Sequence, residues 1–378
     1  MTTHADVAGP APVQTGIIGC GNIAPAYIQG LRMFGIIHLL RVADIDAARS
    51  ADRAKEFDIP RHGGVESLLA DPDIEMVVNL TTPAHHASVN RAILEAGKHA
   101  VTEKPFALDR ASGREVLSLA AAKGLRVGGA PDTFMGAGQQ TVRKLVDDGW
   151  IGKPIAATAT FMTGGPENWH PDPEFVYAKG GGPLLDMGPY YLTQLVHLLG
   201  PVKRVHAQTR ITRAERPITS QPKFGKMMKV EVPTHVVAIV EFYSGPLATL
   251  QMSFDVAAHR HPCFELYGTE GTIAMPDPNA FGDTVRLYRQ GNDWNDWKAI
   301  PFTHGYRENS RGMGPADMAY AIRSGRPHRA SGQLAYHVLD VMLGIHEAGE
   351  SGESVLIEST AERPAPLPPG LLPGRLDD

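Results

Sequence analysis

The chain has 378 residues, 43% of them apolar and 20% charged, with a net charge of −5. That balance is globular, leaves room for two domains with separate cores, and excludes a disordered chain. It also excludes a phosphate-backbone surface, which needs a basic excess. No apolar run reaches a bilayer span before Gly, Arg or His interrupts it.

Residues 1–12 lack the basic start and apolar core of a secretion signal and read as a loose tail. From 13 to 132, short apolar runs (VQTGIIG, HLLRVAD, IEMVVNL, HAVTEK, LRVGGAP) alternate with helical periodicity at 46–57, 84–96 and 111–123. Parallel strands need crossovers and helices are the usual ones, so the alternation predicts an α/β, doubly wound parallel sheet of Rossmann type. Ligands of such sheets sit at the carboxyl ends of the strands.

The first run ends in GCGNIA, a G-x-G-x-x-A turn. Gly19 permits the turn, Gly21 lets backbone approach a pyrophosphate, and Ala24 allows close helix–strand contact. Asn22 and Ile23 lead into a helix whose free N–H groups and positive dipole end suit phosphates. The second run ends at Asp44, 25 positions after Gly19, placed to accept hydrogen bonds from adenosine ribose hydroxyls. Asp44 would repel a 2′-phosphate and Ile45 supplies no cation, which favours NAD over NADP. Arg49 lies near enough to keep NADP in play, and Asp44 is also a candidate N-cap. The third run leads into NLTTPAHH, where Pro83 marks a first helical turn; Thr81, Thr82, Pro83 and His86 are candidate ribose and nicotinamide neighbours. The fourth ends in VTEKP, which delivers Glu103 and Lys104 to a strand end facing the crevice. Asp132 abuts the same crevice after the fifth.

The texture changes over 133–358. A helix at 139–148 stops at Gly149, and a strand covers 155–162. A polar loop (ENWHPDP) and GGG at 180–182 precede a helix at 184–199, strand-like patterns run from 202 to 287, and helices follow near 315–323 and 333–348. This predicts an α+β domain on a large, mostly antiparallel open sheet. Residues 359–378 are proline-rich and read as an extended or mobile tail. Cys20 and Cys263 stand far apart without a CxxC, which indicates neither disulfides nor a thiolate metal site and fits a reducing cytoplasm. The sequence has no HExxH; the nearest metal candidate, His259 and His261, is weak, and no metal is assigned.

Asp186 and Tyr190 lie four apart on the predicted helix, share a face, and follow a flexible glycine entry. Alone, that pair reads as a solvated polar face. Together with the GCGNIA turn, TTPAHH, EKP and WIGKP, it resembles the glucose–fructose oxidoreductase and inositol dehydrogenase (Gfo/Idh/MocA) family, over roughly 13–356. The resemblance implies a nicotinamide-dependent dehydrogenase or reductase acting on a CH–OH group of a sugar, inositol or related polyol. It implies that Lys104, Asp186 and Tyr190 surround the reacting carbon, that Glu103 faces the cofactor, and that the second-domain sheet makes a homo-oligomer, dimer or tetramer. Trp169 and His170 stand where relatives place substrate contacts, with Trp169 packing its own loop as the competing reading. Many relatives carry a basic residue shortly after Asp132; this chain reads FMGAG there, so no arginine is assigned.

Where many relatives have His, this chain has Tyr190. Ordinary Tyr and Lys titrate near ~10 and ~10.4, so a base at neutral pH needs one of them lowered. Candidates are Tyr190 lowered by the Lys104 ammonium, or Lys104 lowered by burial and the positive nicotinamide. The expected chemistry is hydride transfer to nicotinamide, the proton passing to Tyr190 or Lys104 and Asp186 orienting the hydroxyl or the amine. Two alternatives share the fold: a glycosidase or lyase using NAD transiently, and a non-catalytic nucleotide-binding regulator.

Overall fold

The computed structural model describes residues 10–291, 293 and 296–377. Residues 1–9 of the expected tail lie outside the described residues, and Ala11 and Pro12 are held through their carbonyls by the Arg323 guanidinium.

The first half alternates as its periodicity requires. In chain order it runs β1 (Val13–Ile18), α1 (Ala24–Leu31), β2 (Ile37–Ala43), α2 (Ala47–Glu56), β3 (Arg61–Gly63), α3 (Val65–Leu69) and β4 (Met76–Asn79). It continues with α4 (His86–Glu95), β5 (His99–Thr102), α5 (Arg110–Lys123) and β6 (Val127–Gly129). The strands form one six-stranded sheet in the order β3-β2-β1-β4-β5-β6, with every pairing parallel. The order reverses direction between β1 and β4, so a crevice opens above their carboxyl ends. The pair β3–α3 went unread in the sequence: three and five residues are too short to establish a period.

The second half contains α6 (Ala137–Asp147), β7 (Pro154–Met162), α7 (Glu174–Tyr177), α8 (Gly182–Leu199) and β8 (Val202–Arg210). A small hairpin follows, β9 (Glu215–Pro217) with β10 (Met227–Lys229), then β11 (His235–Phe242), β12 (Leu247–Ser253), β13 (Phe264–Gly268), β14 (Gly271–Ala274), β15 (Val285–Arg289) and β16 (Lys298–Ile300). The chain closes with α9 (Met313–Ser324), α10 (Gly332–Ser351) and β17 (Val355–Leu356). Nine strands form the sheet β16-β15-β14-β13-β7-β12-β11-β8-β17, antiparallel except for β12 against β7. Alternation along β11 buries Val236, Ala238 and Val240 and exposes Val237 and Ile239. One face therefore carries the core and the other meets solvent.

Helix α8 lies across the buried face with Leu192, Leu195, Val196 and Leu199 in the core. Helix α10 packs on α8 and β8 and also on α5 and β6, and α9 packs on α1. The late helices thus return to the nucleotide-binding half and help fix the relation of the two halves. The C-terminal stretch is extended, as its prolines dictate, but it is anchored rather than loose. Ala361, Leu367 and Leu376 are buried, Arg143 donates to the Pro364 carbonyl, and Asp377 pairs with Arg326 at 2.7 Å. Buried apolar side chains and satisfied carbonyls tie down a segment that has no regular structure of its own.

Candidate active site

A cavity of about 730 Å³ lies above the sheet switch point, between the two halves. From the first half come Asn22, Ile23, Thr81, Thr82, Pro83, His86, Glu103 and Lys104; from the second come Trp169, His170, Gly181, Asp186, Tyr190 and Arg311.

The cofactor-side residues are built as follows. Gly19 has φ +103° and a Cβ there would fall 2.6 Å from the Leu80 carbonyl oxygen, so only glycine closes this turn. A Cβ on Gly21 would meet nothing within 4 Å, which leaves the approach to its backbone open. Helix α1 starts without a side-chain cap, whereas Asp46 caps α2 and Asp109 caps α5; Ala24 N already donates to the Gly21 carbonyl and Pro25 has no N–H, so what this start offers an anion is its uncapped positive dipole end. Asp44 is fixed at the end of β2: its carboxylate accepts from Cys20 N at 2.8 Å and Asp46 N at 3.0 Å. It does not cap α2; Asp46 does, because that side chain reaches Ala48 N and Arg49 N. Arg49 lies 3.6 Å from Asp44, and Ile45 is fully exposed beside it. An uncapped helix start, an open glycine and a fixed carboxylate fit a dinucleotide.

His86 lies in the wall of the cavity. It is buried, with Nδ1 2.7 Å from the Pro105 carbonyl and Nε2 2.9 Å from the Thr81 carbonyl. As a neutral imidazole it has a single N–H to give to one of these two carbonyls. Its burial lowers its pKa. Asn79 organises the same loop, accepting from Thr81 N and Thr81 Oγ1 and donating to the His86 carbonyl.

Lys104, Asp186 and Tyr190 come together. Lys104 Nζ donates to Asp186 Oδ1 at 2.7 Å and to the Asp186 carbonyl at 2.8 Å, and it stands 5.5 Å from the Tyr190 ring centroid. An ammonium has three N–H groups, so one remains for a further acceptor. Glu103 is held from two sides, by Tyr27 Oη at 2.6 Å and Lys104 N at 2.9 Å. Tyr190 is only 4% exposed. The glycine entry to α8 is crowded rather than flexible: a Cβ on Gly181 would fall 2.2 Å from the Val176 carbonyl oxygen.

The electrostatics also depart from expectation. Burial works to lower the Lys104 pKa, but the Asp186 carboxylate, with Tyr190 and Glu103, outweighs it and holds the amine well above its ordinary value. Burial raises the Tyr190 pKa, and the Lys104 and Arg311 cations only partly offset this. Both groups are therefore protonated at neutral pH, and neither is lowered as the sequence required of a base.

Arg311 and Tyr27 escaped the sequence reading. Arg311 lies 125 positions beyond Asp186, in a loop without periodicity, and no motif marked it. Asp132, expected at the crevice, faces this loop instead: its Oδ2 accepts from Gly312 N and Gly314 N, both at 2.9 Å. It satisfies the otherwise unpartnered N–H groups at the start of α9.

Trp169 is 70% exposed on the cavity rim, edge-on to His170 at 5.4 Å, so it does not pack its loop down. Arg216 does that work. It donates to Glu167 at 2.6 Å, to Asp255 at 2.5 Å and to the Gly164 and Phe254 carbonyls, while Tyr177 also donates to Glu167. Removing one member of a buried ion pair costs about 3–5 kcal/mol. Arg216→Met is expected to lower stability by about that much, checked by urea denaturation; an unchanged midpoint would show that the rim loop is held otherwise.

Among the described residues no group of three or more His, Cys, Asp or Glu side chains could hold a metal, and no helix is long and apolar enough to cross a membrane.

Two family models match. One, described as the oxidoreductase family with NAD-binding Rossmann fold, covers residues 13–129; the other, the GFO/IDH/MocA C-terminal domain, covers 139–274. The chain is 28% identical over 288 residues to dTDP-3,4-didehydro-2,6-dideoxy-alpha-D-glucose 3-reductase of Streptomyces antibioticus, spanning 74% of this chain and 82% of the relative. It is 28% identical over 263 residues to 1,5-anhydro-D-fructose reductase of Ensifer adhaerens, spanning 68% and 74%. Levoglucosan dehydrogenase in complex with NADH and L-sorbose superposes with a TM-score of 0.79 at 20% identity, over 92% of this chain and 100% of that one, a likeness of fold.

Proposed function

This chain belongs to the GFO/IDH/MocA family of NAD-binding oxidoreductases, and we propose that it transfers a hydride between nicotinamide and a secondary alcohol of a sugar, inositol or related polyol. The observation that carries this is the meeting of Lys104, Asp186 and Tyr190 in one cavity with Asn22, Ile23, Thr81 and Glu103. Sugar-reducing relatives support the substrate class.

Asn22, Ile23, Thr81, Thr82, Pro83 and Glu103 would hold the nucleotide with the glycine turn and Asp44, and when bound it would supply or take the hydride. Lys104 offers its remaining N–H to the substrate oxygen and stabilises alkoxide charge as it develops. Tyr190 exchanges the proton, and Asp186 fixes the amine. Trp169 offers an apolar face to a sugar ring, and His170 a hydrogen bond.

The protonation states give this scheme a direction. A protonated phenol and ammonium are ready to give a proton at neutral pH, as carbonyl reduction demands. Alcohol oxidation needs a base, and both pKa values are raised. Oxidation is therefore expected to accelerate as pH rises above neutrality, while reduction stays level and then falls at alkaline pH. Initial rates in both directions across pH check this; an oxidation rate that declines from neutral to alkaline pH would remove both groups from proton transfer.

NAD is the cofactor in this reading. The Asp44 carboxylate suits ribose hydroxyls and repels a 2′-phosphate, even with Arg49 nearby. Asp44→Ala is expected to lower kcat/KM with NAD by about 10- to 100-fold and to raise it with NADP, worth about 1.4–2.7 kcal/mol. Unchanged preference in steady-state assays would place ribose recognition elsewhere.

The outward sheet face exposes Val237, Ile239, Leu247 and Leu356, interleaved with Arg204, His206, Glu241 and Thr249, a mixed surface that self-association as a homo-oligomer would cover. Free Cys20 and Cys263 suit a reducing cytoplasm.

A further inference from the structure

Residues 166–177 form a stretch of the cavity wall, lined there by Trp169, His170, Pro171 and Phe175 among others. Apart from a 3-10 turn at Pro166–Asn168 and the four residues of α7, this rim has no regular structure. Whatever fixes it must come from elsewhere in the chain.

Among the described residues, every hydrogen bond and ion pair reaching 166–177 from outside comes from residues 216–231, in and around the β9–β10 hairpin. Arg216 donates to the Glu167 carboxylate at 2.6 Å, and Thr219 N and Ser220 N both donate to the Glu167 carbonyl at 2.9 Å. Ser220 Oγ donates to the His170 carbonyl. Lys223 bridges Asp172 and Glu174, and Lys226 places a second ammonium on Glu174 at 2.9 Å. Glu231 N closes the set on the Tyr177 carbonyl at 2.9 Å. Beneath these contacts Ile218, Met228 and Val230 share a small core with Val176, Tyr177 and Phe254. The hairpin pairs with neither large sheet and lines no part of the cavity. Two strands alone are marginal in water, so the hairpin and the rim stabilise each other.

We infer that the β9–β10 hairpin is a specificity element, in which Ser220 and Lys223 are positioning residues that hold Trp169 and His170 where the sugar meets them. The inference rests on the redox function proposed above. A rim ordered in advance loses less entropy when substrate binds. Lys104 follows β5 and Tyr190 stands on α8, so neither depends on the brace for its place. Releasing the brace should therefore weaken substrate binding and spare the chemical step.

The test compares Lys223→Met and Ser220→Ala, singly and together, with Lys223→Arg. The Lys223 side chain is 34% exposed, and such ion pairs contribute little to overall stability, so the variants keep their fold. The double variant is expected to raise KM for the sugar or polyol about 10-fold, with kcat changed less than about two-fold and affinity for reduced nucleotide kept. Lys223→Arg should stay near the wild type. Hydrogen exchange read by mass spectrometry, without substrate, should be faster in the double variant and confined to 166–177. Unmoved exchange would overturn the brace, and faster exchange with an unmoved KM would overturn its role in specificity. A wild type that turns over no alcohol would sink the redox function instead, and exchange at 166–177 would still decide whether the hairpin holds the rim.

Discussion

Lys104→Met is expected to lower kcat by about 10²- to 10⁴-fold while nucleotide binding persists, the range for loss of one acid–base group. Methionine keeps an unbranched stem through the same wall, so packing changes little. What disappears is the ammonium that bridges to Asp186 at 2.7 Å and offers its third N–H to the cavity. Asp186 is left unpaired, but its side chain is 38% exposed, so water replaces much of the lost interaction and the fold survives. The Lys104 side chain hydrogen-bonds to Asp186 and not to the glycine turn or Thr81, which are expected to hold the dinucleotide. Turnover followed by nicotinamide absorbance, with affinity from the fluorescence of the reduced nucleotide, separates the two effects. Near-normal turnover would take the amine out of the reaction.

Tyr190→Phe should cost about 10²- to 10³-fold in kcat and remove the alkaline dependence of oxidation. The side chain is 4% exposed, and phenylalanine fills the same space with only the hydroxyl deleted, so a loss of activity here cannot be assigned to a collapsed pocket. The double variant with Lys104→Met adds information. Groups that serve one proton transfer are strongly non-additive, so the pair should lose little more than the worse single variant. Multiplied losses would show that amine and phenol act in separate steps.

The parts of this architecture that repeat were legible in the sequence. Alternating runs fixed the parallel sheet, and the glycine turn, TTPAHH and EKP marked three neighbouring strand ends that the structure brings to one crevice. The i,i+4 spacing of Asp186 and Tyr190 placed them on one helix face, and the cavity takes both. What stayed hidden depends on long-range contact. Arg311 carries no periodicity, and only the clamp from Asp132 and Gly30 brings it to the site. Burial decided the rest. It turned His86 into a peg between two carbonyls and raised the Tyr190 pKa despite two cations. A proline-rich end looked loose because local pattern says nothing about Leu367 and Leu376 finding the core.

The most direct measurement offers the purified protein a panel of sugars, inositols and related polyols with NAD, and follows reduced nucleotide beside the oxidised product. The expected result is substrate-dependent reduced nucleotide, formed one for one with a keto product by the wild type and abolished in Lys104→Met, which still binds the nucleotide. Tight nucleotide binding with no reduction from any alcohol, or bond cleavage in the sugar without net reduced nucleotide, would contradict it.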